Sequence, residues 1–158
     1  MASKWVLLTD KERTEILSQG ITPSLRKKLE KVDKRIAISS AKAKGMGLQR
    51  KACEDIAEVT GIEYKQGDDN SLIESRGGGQ HGTDVILRGE ARVRFPFSVE
   101  CKASESLNLV NTIDQASTNM LENTDWLILH KKKALSEPIV VLRWKRFLEI
   151  WKKVLDKK

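Results

Sequence analysis

The chain has 158 residues, 39% hydrophobic and 32% charged, which suits one compact domain with ~40 residues to spare and argues against disorder. No apolar run approaches the ~20 residues that cross a bilayer and the start, Met1-Ala2-Ser3-Lys4-Trp5, is no signal peptide, so a cytoplasmic protein without a membrane partner is expected. Cys53 and Cys101 form no CxxC pair, which argues against structural zinc, while a net charge of +7 favours a polyanionic partner such as nucleic acid.

Thr9 or Asp10 is placed to N-cap a helix through about Gln19, with Glu12 or Glu15 in its first turn and Gly20 stopping it. Thr22-Pro23-Ser24 starts a second helix, whose apolar stripe is Leu25, Leu29, Val32 and Ile36. Its other side is strongly basic, and Ser39 to Gly47 reads as a basic linker of small residues. Residues 1–43 thus form a basic helical extension to a main domain at 44–158.

The main domain opens with a helix from about Leu48 to Thr60, closed by Gly61, with Leu48, Ala52, Ile56 and Val59 as its buried face. Ile62 to Lys65 is a short candidate strand, and Gly67 to Gln80 a polar, glycine-rich loop. Thr83 to Arg88 and Phe95 to Lys102 are β-like runs forming a hairpin around Gly89-Glu90-Ala91-Arg92. A helical pattern from Leu107 to Glu122 is followed by apolar strands at Trp126 to His130 and Pro138 to Leu142. Trp144 to Leu155 closes the chain as an amphipathic helix, with Phe147, Leu148, Trp151 and Leu155 expected inward. The order of elements indicates an α/β sandwich with one mixed sheet.

The chemistry concentrates in the hairpin. Alternation along a strand puts Glu100 and Lys102 on one face, and Val99 and Cys101 on the other. A turn centred near Arg92 places Asp84 opposite Glu100, roughly 5 Å apart at Cβ. Two carboxylates that close repel unless a cation lies between them, and an oxygen pair with open positions suits Mg²⁺, with Mn²⁺ as a substitute. Lys102 would then orient or help deprotonate an attacking water, or neutralise charge in the transition state. The plainer alternative is a surface salt-bridge cluster.

Candidate DNA contacts lie around this centre. Ser75, Arg76 and Gly78, in the glycine-rich segment leading to Asp84, can bring backbone N–H groups and a guanidinium to a phosphate. His81 would touch the scissile phosphate or face solvent. Lys42, Lys44, Arg50 and Lys131 are the basic candidates outside that loop. No glycine-lysine-serine phosphate loop occurs, so no nucleotide cofactor is expected.

The pattern Asp84…Glu100-Cys101-Lys102 resembles the PD-(D/E)XK nuclease superfamily, with Thr83 in the place of the motif's proline. Within it, Gly77-Gly78-Gly79-Gln80-His81-Gly82-Thr83-Asp84 through Arg94-Phe95-Pro96-Phe97-Ser98-Val99-Glu100-Cys101-Lys102 resembles phage-encoded and archaeal-type Holliday junction resolvases, over roughly Lys44 to Leu142. The resemblance implies a restriction-endonuclease-like core, a central mixed sheet flanked by helices. It also implies a Mg²⁺-dependent endonuclease that resolves four-way junctions in DNA recombination and repair, with paired symmetric nicks made by a homodimer. Glu54 is implied as an additional acidic residue near the metal, with Asp55 or Glu58 in its place if the helix phase is shifted. Gln115 is implied as an auxiliary polar residue. Two other outcomes stay open: a restriction-like or repair endonuclease on duplex DNA, and an inactive DNA-binding protein of the same fold.

Overall fold

The computed structural model describes residues 9–77 and 80–156. Gly78, a candidate phosphate contact, and Trp5 lie outside the described residues, as do the side chains of Val32 and Ile36. The chain divides into two compact units, residues 1–40 and 41–158.

The first unit holds helix α1 (Asp10–Gln19) and the start of α2 (Pro23–Thr60). Thr9 caps α1 with a full capping box, its hydroxyl accepting from the Glu12 backbone while the Glu12 carboxylate accepts from the Thr9 N–H. Lys28 pairs with Glu12 and, together with the cap bonds, holds that carboxyl down at about 2. Leu25 is buried.

The anticipated linker at Ser39–Gly47 is helical instead. One helix, α2, runs through it and joins what the sequence divides into two. Isolated glycines such as Gly45 and Gly47 cost a helix only ~1 kcal/mol each, and the alanines and lysines around them are strong helix formers.

In the second unit β1 (Ile73–Ser75), β2 (Val85–Leu87), β3 (Phe97–Ala103), β4 (Asp125–Lys131) and β5 (Ile139–Val141) form one sheet in that order. Only β3 and β4 run parallel, so the protein is α/β with a mixed five-stranded sheet flanked by helices. The connection between them carries α4 (Leu109–Thr118), as parallel pairing requires. Strand β1 arises within the segment read as a loop, and Ile62–Lys65 is no strand. Between β2 and β3 the expected tight turn is a short helix, α3 (Gly89–Arg94), which buries Ala91 completely.

Two apolar layers hold the sheet. On one face Leu48, Ala52, Cys53 and Ile56 of α2 pack with Ile73, Val85, Leu87, Val99 and Cys101. On the other, Ala116 of α4 packs with Trp126 and Ile128, with Ile113 and Met120 at the margin. Val59, expected on the buried side of α2, is 79% exposed. Helix α5 (Trp144–Leu155) has the anticipated bounds but buries none of its residues, so its apolar side is not inward as expected. No helix among the described residues is long and apolar enough to cross a membrane.

Candidate active site

Val85 pairs with Val99, the register that sets Asp84 beside Glu100. Asp84 lies just ahead of β2, where its N–H donates to the Val99 carbonyl (2.9 Å). Its carboxylate is gripped from two directions. The Cys101 N–H donates to Oδ2 (2.6 Å), and the Gln49 amide on α2 donates to Oδ1 (2.7 Å). Glu100 is almost fully buried, and its Oε1 lies 2.7 Å from the Lys102 ammonium. That ammonium also donates to Gln115 Oε1 on α4 (2.8 Å). Parallel pairing puts His130 beside Lys102, and the His130 ring nitrogen Nδ1 sits 3.0 Å from the Lys102 carbonyl.

Electrostatics match this placement. Burial pushes the Asp84 carboxyl above the usual carboxylate range, opposed by the Cys101 N–H, Lys102, Gln49 and Arg76. Glu100 is also raised, first by burial; its bond with Lys102 opposes the shift and the charge of Asp84 adds to it. Two neighbouring carboxyls thus share a site that disfavours their charge. Cys53 is different, its thiol pushed up to about 12 by burial, and Cys101 is pushed up as well. Neither offers a thiolate to a metal at neutral pH.

A stability consequence follows with a definite sign. Carboxyls raised on folding contribute stability that is fully present below their unfolded pKa and is lost as pH rises through the folded one. Glu100→Gln removes one such titration. In EDTA the thermal midpoint of the wild type is therefore expected to fall relative to E100Q as pH rises from about 4. Parallel midpoint curves for the two proteins would show that burial does not perturb Glu100.

The glycine-rich approach is built on Arg76. Its N–H donates to the Asp84 carbonyl (2.8 Å), and its Nε donates to the Thr83 carbonyl (2.7 Å). Gly82 makes room for the guanidinium: its φ is +112°, and a Cβ there would fall 2.9 Å from Arg76 Nη2. Ser75 is half-buried in β1 opposite Val85, and His81 is exposed. Thr83, which stands where the motif has proline, is buried and bonds the Val85 carbonyl through its hydroxyl.

Glu54 does not join the centre. It is exposed on α2, and no group of three or more His, Cys, Asp or Glu that could hold a metal occurs among the described residues. The inward position is Gln49, five residues earlier and so ~140° away around the helix. Asp55 pairs with Lys51, and Glu58 is exposed. Gln49 carries no charge to mark it among the acidic residues of the helix. The available signal was its position one residue after Leu48 on the core-facing side.

Among the basic candidates, Lys42 and Lys44 are exposed on α2, and Arg50 is half-buried next to Gln49. Lys131 is engaged within the chain. Its ammonium donates to the Leu135 and Ser136 carbonyls (2.6 Å to the latter), so it holds the turn after β4 rather than standing free for a phosphate. Compared with known proteins, the chain matches no family model, and neither a curated protein nor a solved structure shows significant similarity to it.

Proposed function

We propose that the chain is a metal-dependent, structure-selective DNA endonuclease with a restriction-endonuclease-like core, resolving four-way junctions by paired nicks as a homodimer. The observation that carries this reading is the adjacent pair of carboxyls, half-buried Asp84 and buried Glu100, with the Lys102 ammonium on Glu100. The residues fit a hard divalent cation. Lys102 sits on Glu100, yet burial still raises both carboxyls, and Gln49 Oε1 is buried without a partner. Magnesium ordinarily takes one or two carboxylates, the other positions going to water and phosphate, so Asp84 and Glu100 suffice as ligands with Gln49 behind them. Bound there, Mg²⁺ or Mn²⁺ would supply the charge needed to activate water and polarise a phosphate.

The chain's own groups do the rest. Gln115 holds the Lys102 ammonium in place, where it can orient a water or neutralise charge developing on phosphate oxygens. Gln49 and the Cys101 N–H fix the direction of the Asp84 carboxylate. Arg76, tied to the Thr83 and Asp84 carbonyls, presents its remaining N–H groups to the DNA backbone. The net charge of +7 suits a polyanion.

The test is cleavage of a labelled four-way junction beside linear duplex, with Mg²⁺ and with EDTA. Metal-dependent symmetric nicks confined to the junction are expected. Equal cutting of duplex would point to a restriction-like or repair enzyme, and binding without cleavage to an inactive DNA-binding protein. In the same assay Gln49→Leu is expected to lower the rate by about 10–100-fold, the usual cost of losing a group that orients a ligand. Glu54→Ala should leave the rate within about threefold, because that side chain is exposed and away from the carboxyl pair. The reverse ranking would restore Glu54 to the centre.

A further inference from the structure

Helix α5 carries an apolar face that nothing among the described residues of its own unit covers. Trp144, Phe147, Leu148, Trp151, Val154 and Leu155 recur at intervals of three and four, so they share one side of the helix. Their exposures are 70%, 43%, 46%, 53%, 43% and 55%. The rings of Trp144, Phe147 and Trp151 stack in series, with centroids 5.5 and 6.4 Å apart and planes within 19° and 13°. They form a flat strip already ordered before anything binds.

We propose that this face is a homodimer interface, occupied by α5 of a second copy packed antiparallel about a two-fold axis between Leu148 and Trp151. Area is the first argument. Three aromatics and three aliphatics, each about half exposed, present on the order of 700 Å² of apolar surface, close to the ~800 Å² each partner buries in a standard interface. A monomer rarely leaves so large a patch open to water.

Self-complementarity is the second argument. A two-fold interface brings the same patch against itself, so residue i meets j and j meets i. Antiparallel packing about that axis sets Leu148 against Trp151 and Trp144 against Leu155, in both directions. It also opposes the two helix dipoles. The proposal deepens the paired-nick reading, which needs two centres in one particle.

Sedimentation equilibrium of the full chain in EDTA, without DNA, tests it. A dimer is expected at micromolar concentration. Leu148→Glu and Trp151→Glu should each weaken association by about 30-fold or more, as for residues at an interface centre. Circular dichroism should not change, because both side chains are exposed in the single chain. A monomeric wild type, or a dimer indifferent to both substitutions, overturns the proposal. A wild-type monomer that associates once residues 1–8 are removed would overturn it too, and would assign the face to that segment. With no DNA or metal present, such failure is distinct from failure of the nuclease reading, which cleavage alone decides.

Discussion

Asp84→Asn is expected to abolish junction cleavage, on the order of 10³-fold or more, while binding changes only a few-fold. The reasoning is that asparagine keeps the shape and loses the charge. Its carbonyl oxygen still accepts from the Cys101 N–H, which bonds Asp84 at 2.6 Å. The new amide would face Gln49, whose own amide now donates in that direction (2.7 Å). Gln49 can answer by turning over. Its Oε1, buried and without a partner, then accepts from the asparagine. The fold should therefore persist, and removing a carboxylate next to phosphate does not weaken DNA binding. Retained cleavage in D84N would remove Asp84 from the chemistry. Lost folding would show that its charge serves structure.

Lys102→Met is the second large effect, a fall of about 10²–10⁴-fold in single-turnover cleavage at saturating DNA. Methionine reproduces much of the aliphatic stem but leaves Glu100 and Gln115 without the ammonium that lies 2.7 and 2.8 Å from them. Glu100, at 3% exposure, then keeps the hydrogen bond from Asn119 but loses its counter-charge, and should take up a proton more readily. Metal-free K102M is thus expected to be less stable than the wild type at neutral pH and to recover on mild acidification. A thermal midpoint series in EDTA reads this directly. Normal cleavage with lowered stability would make Lys102 only the salt-bridge partner of Glu100.

Much of this centre is legible in one sequence because its parts lie close along the chain. Alternation fixes the faces of Glu100 and Lys102, and a turn near Arg92 gives the observed pairing of Val85 with Val99. That register survives even though the turn is a helix, since α3 occupies the residues the turn would use. Caps were equally readable, with Thr9 beginning α1 and Gly61, at φ +69°, following α2. What failed depends on distant packing. Ile73-Glu74-Ser75 reads as loop because its glycine-rich surroundings mask three residues that pair with β2. The choice of Gln49 over Glu54 turns on helix phase, which a charge-rich helix leaves ambiguous. The apolar face of α5 reads as core from periodicity alone, since the pattern does not say whether it meets its own sheet. Trp126 is buried while Trp144 and Trp151 are exposed, although all three sit in similar apolar contexts.

The sheet order has a consequence for how the protein folds. Each strand lies beside its neighbour in sequence, from β1 to β5, so no strand must be inserted between two others already joined. Assembly can proceed by successive addition, and the closure entropy of each step is that of a short loop. The longest closure is the parallel step from β3 to β4, whose connection carries α4. Residues 84 to 102 fall within the earlier antiparallel step. On the proposed metal-dependent reading, a divalent cation that relieves the repulsion between Asp84 and Glu100 would stabilise this one antiparallel pairing together with the finished fold.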